Sequence, residues 1–161
     1  MSARRSSGVL LFRRPAGRLE VLLGHPGGPY FARRDEGVWT IPKGQPDDED
    51  DLWVVACREF HEETGHDLER CRVPGRDPIE LGSVTLASGK VVHGWAVEGD
   101  LDPDAVRSNE FELEWPPRSG QRSTFPEIDR VAWLPPEEAR RRSHPAQAAF
   151  IDRLEAALGD T

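Results

Sequence analysis

The sequence predicts an α/β layered domain, and three observations carry that prediction. Short runs rich in Val, Ile and Leu, bounded by Gly, Pro and Asp, have the length and composition of strands. Two longer stretches carry apolar residues at three- and four-residue intervals, which gathers them on one helical face. The elements alternate as strands, helix, strands, helix, the order expected when helices cover a sheet. The chain has 161 residues, a length that suits a single domain over residues 1–161 with a full core.

In order, "GVLLFRR" and "LEVLLGH" predict two strands joined by a turn at Pro15–Gly17. "HPGGPYFARRDEG" is a loop rich in glycine and proline. "VWTIPKG" predicts a short strand interrupted by Pro42, which has no N–H for a ladder. From about Asp50 to Thr64 the pattern is helical, with Leu52, Val55, Ala56 and Phe60 in register, aspartates in the first turn and Gly65 as the stop. "IELGSVTLASGKVVHGWAVEGDL" predicts two strands around a turn at Ser88-Gly89, and "FELEW" a short strand. "PPRSGQRSTFPE" predicts a flexible exposed loop. "DRVAWLP" predicts a strand and "PEEARRR" a short helix. "PAQAAFIDRLEAALG" predicts a helix with Pro145 near its start, Gly159 past its end and an apolar face of Ala149, Phe150, Leu154 and Leu158.

The bulk properties narrow the function. Net charge is −8, so the chain as a whole disfavours nucleic-acid backbone and anionic membrane. An acidic protein can still handle phosphates when a divalent cation screens them. Cys57 and Cys71 are too few for a disulfide framework and predict reduced thiols and a cytoplasmic setting. No stretch is long and apolar enough to span a membrane, so no membrane partner is expected. Lysine occurs only at Lys43 and Lys90, which singles out Lys43 inside "IPKG".

The helix from Asp50 to Thr64 poses a charge problem. Glu59, Glu62 and Glu63 share an arc of about 100° at ~100° per residue. No Lys or Arg follows four residues later to relieve them. Leu52, Ala56 and Phe60 overlap and adjoin that arc, so the carboxylates lie where solvation is poor. A solvated acidic face would avoid this border, whereas a site for hard divalent cations needs oxygen donors there.

The whole stretch from Gly44 to His66 resembles the Nudix box, G-x5-E-x7-R-E-U-x-E-E-x-G-U, where U is a bulky apolar residue. Gly44, Arg58, Glu59, Phe60, Glu62, Glu63 and Gly65 match at the required spacing. Asp50 stands in place of the first glutamate, with Glu49 beside it, and His66 in place of the last apolar residue. The "WTIPKG" entry and the strand-then-helix ending also look like this family.

The resemblance implies a Nudix-type α/β/α sandwich with a mixed sheet and a loop-helix-loop catalytic motif. It implies a pyrophosphohydrolase using Mg²⁺ or Mn²⁺ on a nucleoside diphosphate linked to another moiety, of the nucleotide or dinucleoside polyphosphate class. Glu59, Glu62 and Glu63 are then metal ligands, with the Gly44 carbonyl as a further one, and Arg58 orients a neighbouring carboxylate. Many members add an acid from outside the box, as ligand or general base. Glu127, six residues before Trp133, is the choice here, with Glu110, Glu112 and Glu114 as competitors.

Lys43 is a candidate phosphate contact, and Arg34 and Arg33 either join it or are solvated. Tyr30, Phe31, Trp39 and Trp115 are candidates to stack on a base. His25, His61, His93 and His144 show no metal-like spacing and are expected to be structural or surface residues. Hallmarks of NADH, ADP-ribose and coenzyme A members are absent; "WTIPKG" most resembles dinucleoside polyphosphate and diphosphoinositol members. A small-molecule nucleotide is the expected partner of a monomer or homodimer. RNA 5′-pyrophosphohydrolysis and a non-catalytic nucleotide-binding module are the alternatives.

Overall fold

The computed structural model describes residues 5–48 and 51–159. Strands β1 (Arg5–Arg13), β2 (Glu20–Pro26), β3 (Lys43–Gly44), β4 (Ile79–Thr85), β5 (Val91–Glu98) and β8 (Ile128–Leu134) form one mixed sheet, while β6 (Glu110–Glu114) pairs with β7 (Arg122–Pro126). The main sheet runs β4-β5-β1-β2-β8, with β3 paired to β1. β1 lies parallel to β5 and antiparallel to β2 and β3.

β1 explains the layering. Its residues Val9 to Phe12 are all buried, so both of its faces are covered. Val9 and Leu11 join Ala56 and Phe60 of helix α1 (Leu52–Thr64) in one apolar cluster. Leu10 and Phe12 join Phe150 and Leu154 of helix α4 (Ala148–Leu158) in another. The sheet is therefore sandwiched between helices, as the resemblance implies.

Helix α1 stops where its sequence predicts, but its first turn, from Leu52, holds no acid. The Asp51 side chain caps α1 by accepting from the Trp53 N–H at 2.9 Å. Gly65, at φ 75°, ends it in the left-handed conformation. The expected start at Asp50 falls outside the described residues. Ile151 joins Phe150 and Leu154 on the buried face of α4, and the preceding Pro145–Gln147 forms a 3-10 turn rather than the first helical turn.

Three local outcomes differ from expectation. The "VWTIPKG" segment gives a two-residue ladder, Lys43–Gly44 paired with Ser7–Gly8, and single bridges from Trp39 to Ser143 and from Thr40 to Gly24. Pro42 cannot donate, but its carbonyl accepts from the Val9 N–H at 3.2 Å. That approach depends on Gly8, where a Cβ would overlap the Pro42 carbonyl. A short helix α2 (Leu68–Cys71), capped by Asp67, follows α1. The predicted flexible loop over 116–127 instead contains β7, whose backbone pairs with β6 from Glu110↔Pro126 to Glu114↔Arg122. Helix α3 (Pro136–Arg142) follows β8 as predicted. No helix among the described residues is long and apolar enough to cross a membrane.

Candidate functional site

Three segments build one acidic cleft. The C-terminal half of α1 presents Glu59, Glu62 and Glu63. The β3 segment brings Lys43 and Gly44 alongside, through its ladder to β1. The joint between β7 and β8 supplies Glu127. These residues line a cavity of about 410 Å³ together with Ser6, Gln45, Lys90 and Asn109.

Glu63 is the buried member, 7% exposed. Burial, with the Glu59 charge next, pushes its carboxyl up to about 9, while Lys43 and its backbone N–H pull it back. Its Oε2 is buried without a hydrogen-bond partner among the described residues. Burial also raises the Glu59 carboxyl, assisted by Glu62 and opposed by Arg58. Both acids are thus held less readily ionised than ordinary carboxyl groups, despite the opposing Arg58 and Lys43 charges.

Arg58 supplies relief from the N-terminal side of Glu62. It precedes Glu62 by four residues, and its Nη1 lies 2.8 Å from Glu59 Oε1 and 3.2 Å from Glu62 Oε2. Its Nη2 donates to the Gln45 carbonyl at 2.8 Å. One guanidinium thus ties two acids of α1 to the loop before it. Asp50 and Glu49 lie outside the described residues.

Glu127 stands at the exposed rim, yet the surrounding protein raises its carboxyl above the usual range while Lys43 opposes the shift. Its setting is fixed: its N–H donates to the Asn109 carbonyl at 2.9 Å and its carbonyl accepts from Gly27 at 3.0 Å. The Asn109 N–H in turn donates to the Glu62 carbonyl at 2.8 Å. Glu127 is therefore anchored to α1 rather than carried by a moving loop. Its competitors do not line this cavity. Glu112 pairs with Arg122, Glu114 accepts from the Arg118 N–H, and Glu110, Glu112 and Glu114 all lie along exposed positions of β6.

The residues suit a hard divalent cation. All the acidic donors are oxygens, one buried carboxylate oxygen lacks a partner, and Gly44 has no Cβ where one would overlap the Glu59 carboxylate. Among the described residues no three His, Cys, Asp or Glu side chains form a ready-made cage. Arg58 draws Glu59 and Glu62 to itself, and mutual repulsion keeps bare carboxylates apart.

Beyond Lys43 the cleft meets a cavity of about 640 Å³ lined by Phe31, Arg34, Leu86, His144 and Gln147 among others. The Arg34 guanidinium lies 5.7 Å from the centre of the Phe31 ring. Tyr30 lines neither cavity and packs edge-on to Trp115 at 5.3 Å, because the β6–β7 hairpin engages it. Trp39 is core, 2% exposed, with its indole N–H donating to Asp35 at 2.8 Å. Buried His25 bonds Asp129 at 2.9 Å and the Arg34 carbonyl at 2.7 Å, a structural role as expected. Arg33 is exposed. Lys90, Ser6, Asn109 and Gln147 were missed; the scarcity of lysine pointed to Lys90 as much as to Lys43.

The model of the NUDIX domain matches residues 2–154. The chain belongs to the NUDIX family. An 8-oxo-(d)GTP phosphatase of Mycolicibacterium smegmatis is 31% identical over 145 residues, covering 84% of this chain and 36% of its own length. The chain thus spans about a third of that relative. Among solved structures, a C. elegans Ap4A hydrolase in a binary complex superposes with TM-score 0.66 at 22% identity, covering 97% of this chain and 99% of its own. The NUDIX domain of Shewanella oneidensis NrtR complexed with ADP ribose gives 0.65 at 17% identity, covering 98% and 90%. These likenesses bear out the predicted fold class. NUDIX hydrolases generally use divalent metal ions and act on phosphoanhydride bonds.

Proposed function

We propose that the protein is a Mg²⁺- or Mn²⁺-dependent pyrophosphohydrolase cleaving a nucleoside diphosphate linked to another moiety, of the nucleotide or dinucleoside polyphosphate class, and that residues 1–161 act as one domain. The carrying observation is a buried Glu63 oxygen, without a hydrogen-bond partner among the described residues, in a cleft lined by four acids and two lysines. Such an arrangement is costly unless a cation completes it. Similarity to an 8-oxo-(d)GTP phosphatase and to an Ap4A hydrolase fold supports a nucleotide substrate.

Glu59, Glu62, Glu63, Glu127 and the Gly44 carbonyl would hold the metal, which when bound offsets phosphate charge and acidifies water. Arg58 keeps Glu59 and Glu62 oriented toward the cleft. Lys43 holds a phosphate oxygen as a point charge. Where Glu127 is not engaged by the metal, its carboxylate instead accepts the proton of the attacking water. The new P–O bond forms as the bond to the leaving phosphate oxygen breaks, and that oxygen keeps the electron pair. The 640 Å³ cavity beyond Lys43 takes the nucleoside, with Arg34 and Phe31 at its wall.

A substrate panel with Mg²⁺ or Mn²⁺, read by product masses, tests this reading. Turnover of nucleotides that is lost in Glu62→Gln is the expected result. Turnover confined to triphosphorylated RNA would favour the RNA alternative, which the net charge of −8 disfavours. Nucleotide binding without turnover would make the protein a binding module, a reading that the intact E-x-x-E-E core opposes.

A further inference from the structure

The cavity beyond Lys43 has one wall without regular structure. Residues 27–38 form neither strand nor helix, yet they supply Phe31, Arg34, Glu36, Gly37 and Val38 to its lining. Such a segment keeps one shape only where bonds hold it. The Arg34 N–H closes a turn onto the Phe31 carbonyl at 3.0 Å. The Trp39 indole N–H and the Arg142 guanidinium reach the Asp35 carboxylate at 2.8 and 3.5 Å. Among the described residues, one side chain bonds the backbone of residues 28–36. It is His25, whose Nε2 lies 2.7 Å from the Arg34 carbonyl oxygen.

His25 lies on β2 and is fully buried. Both of its ring nitrogens face oxygens. Nε2 meets the Arg34 carbonyl, and Nδ1 meets the Asp129 carboxylate of β8 at 2.9 and 3.1 Å. A backbone carbonyl and a carboxylate are both acceptors. A neutral imidazole has one N–H and would turn a lone pair toward one of these oxygens. The doubly protonated ring donates to both, which is the condition for burying a charge. Arg130 Nη1 stands farther from Nδ1, at 3.4 Å, and meets Asp129 at 3.3 Å. Asp129 thus serves both cations, and the Trp39 ring packs edge-on to the imidazole at 5.4 Å.

We propose that His25 is a positioning residue. Through its Nε2–H bond to the Arg34 carbonyl it holds the Phe31–Arg34 turn as a wall of the cavity, and so sets the cavity's grip on a nucleoside. Asp129 orients the ring for this bond. The effect on the nucleoside rests on the reading of that cavity as its seat.

Two substitutions separate the two ends of the ring. In His25→Gln the amide nitrogen reaches about as far as Nε2 and still donates to Arg34. In His25→Asn it reaches about as far as Nδ1, so the Asp129 bond is kept and the Arg34 bond is lost. The test uses the full chain with Mg²⁺ and two probes, α,β-methylene-ADP and methylenediphosphonate, which differ by the nucleoside. Calorimetry gives the nucleoside advantage as the ratio of their affinities. Trypsin cleavage after Arg33 and Arg34, read by product masses, reports the shape of the segment without any ligand. The carbonyl cleaved after Arg34 is the one that His25 holds. His25→Asn is expected to lower the advantage about fivefold and to speed this cleavage by a similar factor, leaving methylenediphosphonate affinity unchanged. His25→Gln should keep both near wild type. Asp129 is exposed, so Asp129→Ala keeps the test valid should His25→Asn fold poorly; it should shift both readouts in the same direction by a smaller factor. An advantage present in wild type yet unmoved by His25→Asn, or moved alike by both His25 variants, overturns the proposal. So does cleavage unchanged in all three variants. Equal affinity of wild type for the two probes, with the cleavage difference in place, would support the positioning and overturn the reading of the cavity as the nucleoside's seat.

Discussion

Helices α1 and α4 do the same architectural work on opposite faces of the sheet, yet they treat charge differently. On α4, the acids are paired outward. Asp152 meets Arg140 at 2.7 Å, and Glu155 pairs with the same guanidinium. Arg153 donates to the Leu81 and Ser83 carbonyls at 2.9 Å each, fastening the helix to β4. On α1, Arg58 serves Glu59 and Glu62, while Glu63 keeps a buried oxygen with no hydrogen-bond partner among the described residues. Charge on α4 fastens the helix to its neighbours. Charge on α1 is held against its own stability, which is the mark of a site whose counter-charge comes from outside.

Removing that charge is the strongest way to break the contrast. Glu62→Gln and Glu63→Gln should each lower kcat by about 10²–10⁴-fold or more while leaving circular dichroism unchanged. Asp152→Asn on α4 should leave kcat at the wild-type value. Steady-state kinetics on all three would dissolve the distinction if the losses were alike.

Packing should not distinguish the two helices. Phe60 and Phe150 are 0% and 1% exposed, so Phe60→Ala and Phe150→Ala should each cost about 3–5 kcal/mol in urea unfolding. A much smaller cost on α1 would mean that its face is less well packed than its burial implies.

Glu127→Gln sharpens the reading of the rim. If Glu127 is the base, kcat should fall by about 10²-fold or more with little change in KM. If it is a ligand, high Mg²⁺ should recover part of the loss. Glu112→Gln and Glu114→Gln, on the exposed β6 strand, serve as controls expected to leave both parameters alone.

The pH dependence of stability is a subtler comparison. Glu63 is raised in the folded protein from 4.5 to about 9. The folded state therefore holds a proton that the unfolded chain releases. This contribution is full below about 4.5 and is lost as pH climbs towards 9. In protein kept with a chelator, thermal stability should fall over that window, and Glu63→Gln should flatten the fall. The smallest effect belongs to α4, where Asp152→Asn should cost no more than about 1 kcal/mol because the pair is exposed.

How much of this was legible follows from the range of the interactions. Glu59, Glu62 and Glu63 were readable because helical period is local, and Asp51 and Gly65 because caps are local too. Glu127, singled out by its spacing from Trp133, lines the cleft, but its setting is not legible in the sequence. "RSTFP" lacks strict apolar alternation, and its strand character comes from pairing with β6. Trp39 and Tyr30 were equal candidates for stacking on a base. Tertiary contacts place Trp39 in the core, whereas Tyr30 stays 58% exposed beside Trp115. Arg58 was read as orienting a carboxylate, which its geometry matches, although its relief of Glu62 was overlooked.

The near-absence of lysine has a practical consequence. Lys43 and Lys90 are the only two in the sequence, and both line the acidic cleft. Within residues 1–161, an acylating reagent that attacks primary amines, but leaves guanidinium groups alone, finds only these two side chains. Covalent labelling of the intact protein therefore doubles as a footprint of the cleft. A polyphosphate lying across it would shield both amines together, and mass spectrometry of the labelled protein would register occupancy without any turnover.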